Sequence, residues 1–299
     1  MKKLLVILFV FAFSVSSTFA GAYVFKQEDA SDLKKFTKKT LDLNLKKLKK
    51  LGIKKLVIME CYGEYVTSKE VTSSANSQRY TGRITTNTNT LNLGKDFYTD
   101  TSNLVYQAVK EAFEKNGIEV VSREDLLANE KYANFNLEEE KEGRGASAGL
   151  YKPTVVEKTQ SVSASNLGIF PSNPLKMIKL LINICEITHS VGAEAVVQVK
   201  FKVDKDKNFK PILKQFDVIM SAEIKPQEVG FKGNKKMRYD FLTQNEPLVK
   251  MKTELITADE VTDGKKGPFN VEKYDKALMG ILYTVTDSLS FGIKEILSK

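Results

Sequence analysis

Residues 195–224 read AVVQVKFKVDKDKNFKPILKQFDVIMSAEI, the pattern of a β-hairpin. Its first nine residues set Val197, Val199, Phe201 and Val203 against Gln198, Lys200 and Lys202. A period of two puts one set on a buried face and the other in water, as in an antiparallel sheet. Asp204–Asn208 (DKDKN) is a turn, and Ile212–Ile224 returns as the antiparallel partner. Upstream, Asn173-Pro174 starts a helix, with the asparagine as cap and proline at the first helical position. That helix runs through LKMIKLLINICEITHSV to Gly192 and is apolar nearly all round, so it belongs inside the fold. Downstream, Met237–Leu242 and Leu248–Ala258 read as strands. Val271–Leu297 carries Tyr274, Leu278, Ile281, Leu282, Val285, Leu289, Ile293 and Leu297 at the spacing of a long helix.

In the first half of the chain, Lys54–Val66 (KKLVIMECYGEYV) is apolar enough at Leu56–Met59 for a central strand. Residues 67–98 change to Thr, Ser and Asn and form a polar loop or hairpin. The alternation in ITTNTNTLNL suits a ribbon with polar outward side chains, unlike a lipid-facing hairpin, which is apolar outside. Thr101–Asn116 is a helix with Leu104, Val105, Ala108, Val109, Ala112 and Phe113 on one stripe, closed by Gly117. Ile118–Val121 is a short strand, and Ser122-Arg123-Glu124-Asp125 turns it into a helix. Ser122 is placed to accept from the Asp125 N–H, with Glu124 and Asp125 at the positive helix end. Residues 136–150, including the charged run 138–142 and the glycine-rich GRGASAG at 143–149, read as a loop, and 158–172 continue in the same style.

Before these elements, residues 31–51 place Leu33, Phe36, Leu41, Leu45, Leu48 and Leu51 near helical spacing, with Ser31 as cap and Gly52 as stop. Lys34, Lys35, Lys38, Lys39, Lys46, Lys47, Lys49 and Lys50 crowd the opposite face. Such a helix covers one side of a sheet, or lies on an anionic membrane surface. The expected fold is α/β: a single domain with a mixed, largely antiparallel sheet flanked by amphipathic helices, after an N-terminal signal peptide. Its divisions are a signal peptide at 1–22, a basic amphipathic helix at 23–52 and the α/β domain at 53–299.

The leader is read from Lys2 and Lys3, the apolar run Leu4–Phe13 and the small residues up to Ala20 and Ala22. No cysteine stands near the cleavage point, which leaves a lipid anchor no attachment site. No other stretch approaches the roughly twenty apolar residues of a membrane helix. The expected location is therefore exported, in the periplasm or at the outer-membrane periphery, without lipid anchor or transmembrane helix. The formal charge is +9, carried by lysines read as spread through helices and strands. An exported chain without arginine–aromatic clusters is not read as a nucleic-acid binder.

Chemistry-bearing residues are few. The two cysteines, Cys61 and Cys185, read as buried small hydrophobes, although an oxidising compartment permits a bridge between them. With a single histidine, His189, they make no zinc pattern. His189 lies near a helix end, where packing or a favourable dipole explains it. No nucleophile elbow, P-loop or dinucleotide fingerprint occurs, and no catalytic, cofactor or metal residue is assigned. Glu60 and Glu64, four apart in a strand and on one face, are the one carboxylate pair to weigh for a secreted hydrolase; that chemistry needs a shared cleft.

Two short motifs, Val120-Val121-Ser122-Arg123-Glu124-Asp125-Leu126 and Gly192-Ala193-Glu194-Ala195-Val196-Val197, together with the strand and helix order around them, are similar to the curli-secretion (CsgG-like) periplasmic fold. Relatives of that fold include the amino-terminal domain of TolB and activators of penicillin-binding proteins. The resemblance spans roughly 54–258 and implies a non-catalytic envelope protein that binds or assembles with other proteins. The expected partner is an envelope protein or a second copy, with an anionic membrane surface as a further class.

Overall fold

The structure, a computed structural model, describes residues 21–74, 84–133, 141–149, 152–171, 183–229, 236–264 and 267–298. The hairpin read from 195–224 is its centre. β8 (Ala195–Lys205) pairs antiparallel with β9 (Pro211–Val229), and Val197, Val199, Phe201 and Val203 are buried. On its other side β8 runs parallel to β3 (Lys55–Ser74), a twenty-residue strand that begins as the expected central one. Among the described residues the sheet is mixed, has eleven strands, and its pairings are mostly antiparallel. β10 (Lys236–Met251) and β11 (Leu255–Thr257) extend it beyond β9, and β1 (Tyr23–Phe25) runs parallel to β11. β5 (Glu119–Val120) is parallel to the start of β3.

One face is covered by α3 (Lys95–Glu114) and α7 (Val271–Leu297), which pack on each other. Asn270 caps α7 through the Lys273 N–H, and seven of its eight expected apolar positions are buried, Leu297 being exposed. α3 starts six residues earlier than the sequence suggests, and Leu104, expected on its buried stripe, is 40 % exposed. Gly117 and Gly192 end their helices with positive φ, a conformation open to glycine without the Cβ clash.

The turn at Ser122 is as expected. Ser122 Oγ accepts from the Asp125 N–H at 3.0 Å and opens α4 (Arg123–Leu127), with Leu126 buried beneath. Ser122→Ala should therefore destabilise the chain by about 1 kcal/mol in urea unfolding. A midpoint identical to wild type would refute the cap.

Several expectations are corrected. Residues 31–51 are not one helix: α1 (Leu33–Thr40) and α2 (Lys46–Leu51) are separated by β2 (Leu41–Leu43), which pairs with Val249–Met251 of β10. Leu41 is buried in that pairing, and Asp32, not Ser31, caps α1 through the Lys35 N–H. The supposed loops after α5 (Glu130–Ala133) contain two strands, β6 (Lys141–Gly149) and β7 (Lys152–Ser163). GRGASAG thus lies in a strand rather than a connector. Met237–Leu242 and the start of Leu248–Ala258 form one strand, β10, with bulges between Thr243 and Val249. Of the long helix before Gly192, residues 183–190 (α6) are helical, and its expected start at Asn173 lies outside the described residues. So does the leader up to residue 20, while Tyr23–Phe25 form β1.

Candidate functional site

The carboxylates weighed for chemistry, Glu60 and Glu64, lie on the face of β3 turned away from α3. Cys61 Sγ lies 3.7 Å from the Ser102 carbonyl, and the Tyr65 hydroxyl donates to the Tyr98 carbonyl and contacts Ser102 Oγ, each at 3.1 Å. These side chains therefore point at α3. By alternation Glu60, Tyr62 and Glu64 point the other way, alongside Gln198, Lys200 and Lys202 of β8. So the sequence reading of Glu60 and Glu64 on one face holds, although β3 bulges between Ile58 and Glu60.

Their surroundings differ. Glu60 is fully buried; its Oε1 accepts the Phe170 N–H at 2.7 Å. The Lys200 ammonium stands 3.3 Å from Oε2, an ion pair without hydrogen-bond geometry. Burial pushes the Glu60 carboxyl above its ordinary value, against the opposing pull of Lys200 and the Phe170 N–H. Glu64 is half-buried and takes Lys202 Nζ at 2.6 Å. Each carboxylate is thus engaged by its own lysine, rather than by its neighbour across a water-filled gap.

These pairs belong to a longer ladder across four strands. Lys202 also approaches Glu157 of β7 at 3.7 Å, and Glu157 meets Lys69 of β3 at 3.2 Å. Lys69 and Lys214 of β9 converge on Asp204 of β8 at 3.4 and 2.7 Å. Asp204 is buried and also accepts the Lys205 N–H at 2.8 Å. Burial alone would raise its carboxyl, but Lys214, the Lys205 N–H and Lys69 overcome this and hold it below the ordinary range. The buried Lys205 ammonium donates to the Val66 carbonyl at 2.7 Å; burial lowers its basicity and Asp204 opposes that. Alternating charge at ion-pair distance ties neighbouring strands to one another across this face.

Cys61 and Cys185 are buried and not joined by a disulfide, and burial drives the Cys61 thiol far up. His189 stacks on Tyr239 at 4.2 Å between ring centroids. Arg123 of the SRED turn lies over the Tyr106 ring at 4.2 Å and donates to Asn103 Oδ1 and the Ser165 carbonyl, both at 3.2 Å. It pins α4 to α3, a role no sequence signal announces. A concavity of about 260 Å³ opens between α3 and α7, beside the exposed Leu104 and Tyr283; Glu111 there is occupied by Lys115 and Gln107.

The other distinctive region is the end of the sheet where β4 (Ile84–Thr90) pairs with one edge of β3 and β7 with the other, β6 lying outside β7. In Thr67–Thr72, Thr86–Thr90, Glu142–Ala146 and Thr154–Ser161 no side chain is buried. The polar stretch 67–98 therefore holds a hairpin, whose turn lies outside the described residues, and joins a four-stranded ribbon wet on both faces. Among the described residues no helix is long and apolar enough to cross a membrane. No protein-family model, no curated protein and no solved structure matches the chain.

Proposed function

We propose that the chain is an exported cell-envelope protein that works without catalysis, by associating with other protein chains through the edge of its polar ribbon. The observation that carries this reading is β4. It is an edge strand of seven residues, ITTNTNT, paired in unbroken register with β3 on one side. It has no charge, no proline and no bulge, the devices by which native proteins guard an edge against pairing. Its outer row of backbone donors and acceptors suits addition of a strand from a second copy or from another envelope protein. Strands polar on both faces also specify their pairing weakly, which eases such exchange. The basic, then apolar leader at residues 2–13 supports export, and the resemblance to the curli-secretion fold points toward assembly.

Chemical crosslinking of the purified protein, and of the protein in envelope extract, should yield a defined homo-oligomer or one heterologous complex. Thr86→Lys combined with Thr88→Lys places charge on the edge and should abolish that species while leaving the circular dichroism spectrum intact. Recovery of monomer alone in both settings would sink the reading, as would assembly that the double variant leaves untouched.

A further inference from the structure

The positive charge of this chain is not scattered. Between Asp32 and Lys54 nine lysines stand against two aspartates, a net +7 of the total +9; Lys2 and Lys3 carry the rest, so all other residues balance to zero. The structure turns this stretch into one surface. α1 and α2 both pack on α7, burying Phe36, Leu45 and Leu48, while β2 between them buries Leu41. Lys34, Lys35, Lys38, Lys39, Lys46, Lys47, Lys49 and Lys50 are all exposed. Only Lys47 has an ion-pair partner among the described residues, Glu246. Lys252 joins the patch by donating to the Lys38 carbonyl at 3.2 Å. On the sheet, by contrast, Lys55, Lys69, Lys200, Lys202 and Lys214 each pair with a carboxylate.

The chemistry of the patch selects its partner. An acidic protein would need an anchor to bury, yet the apolar side chains of these helices already face the core, and lysine is depleted from protein interface centres. A discrete phosphate ligand would need donors converging on one point, whereas these project from successive turns of two helices. Arginine, the residue suited to bidentate recognition, is absent from the stretch. Strongly hydrated ammonium groups spread over two helices suit an extended field of anionic charge, which they can meet without losing water. We infer that α1 and α2 form a docking surface for an anionic phospholipid bilayer, held by electrostatics without insertion. This is independent of the strand-edge reading above and rests on different residues.

The test is co-sedimentation of the full chain with vesicles of phosphatidylglycerol and phosphatidylcholine, against vesicles of phosphatidylcholine alone. Binding should require the anionic lipid and fall steeply as salt rises from 50 to 300 mM, roughly the range over which the Debye length drops below 10 Å. Each lysine near the surface contributes about fivefold in affinity. Replacing Lys34, Lys35, Lys38 and Lys39 by Gln should therefore weaken binding at least a hundredfold, while the four Lys→Arg replacements restore it. Both variants keep the apolar residues 4–13. Binding equally strong to uncharged vesicles, or unchanged in the Gln variant, would assign it to that apolar run and overturn the inference. Tight binding to soluble polyglutamate with none to anionic vesicles would overturn it in favour of an acidic protein partner.

Discussion

Replacing Asp204 by Asn is expected to cost about 3 kcal/mol of folding stability at pH 7. The carboxylate is the shared counter-charge of Lys214 at 2.7 Å and Lys69 at 3.4 Å, next to the buried Lys205 ammonium. Asparagine keeps the shape and an acceptor for the Lys205 N–H, but leaves three ammonium groups together without that charge. The pH dependence gives a second readout. Asp204 has a folded pKa below its unfolded value of about 4, so its contribution is present above that pH and is lost as pH falls through the folded pKa. The difference between wild type and Asp204→Asn in urea unfolding should accordingly be large at pH 7 and shrink in strong acid. Glu60 behaves in the opposite sense. Burial raises its folded pKa, so protonation favours the folded state and its charge is a cost at neutral pH. Glu60→Gln keeps the acceptor for the Phe170 N–H and should change stability by less than about 1 kcal/mol. Equal losses for the two variants would contradict this division between a structural anion and a tolerated one.

The second large effect is expected at Gly63. A Cβ there would lie 2.6 Å from the Phe201 ring and 2.7 Å from the Tyr65 ring. Neither ring has room to yield. They meet edge to face at 5.8 Å, both are buried, and Tyr65 is stacked on Tyr98 at 4.3 Å and bonded to Ser102. Gly63→Ala should therefore destabilise by about 1–3 kcal/mol through overpacking. Differential scanning calorimetry would show the lowered melting temperature, and an unchanged one would mean that the rings are free to move.

The elements read correctly from the sequence are those whose residues divide between core and water. β8 and β9, α7 and the body of α3 show a clear period because one face of each is buried. Ser122 was legible for a different reason: a cap is local chemistry and needs no tertiary partner. β6 and β7 were not legible. Their described ribbon side chains bury nothing, so no alternation is imposed, and they are strands because the backbone of β3 offers them partners. β2 was hidden by coincidence. Leu41 sits near the helical spacing of 31–51, yet it is buried against β10. Glu60 and Glu64 were read as sharing one face, and do, but the lysine ladder that occupies it was not foreseen. On β8 alone, Lys200 and Lys202 read as a solvated face; their acidic partners come from β3 and β7, distant in sequence.

β3 runs without interruption from the core into the ribbon, and its twenty residues extend over roughly 65 Å. Core and ribbon are therefore joined by one continuous strand, with a bulge between Val66 and Ser68 where the two meet. A load applied along the ribbon end is carried straight into the parallel pairing of β3 with β8, where many backbone hydrogen bonds oppose sliding together. β4 and β6 lack such a path and would peel from their neighbours one bond pair at a time. Under such a load the parallel pairing of β3 with β8 would hold after the two strands that flank the ribbon had come away.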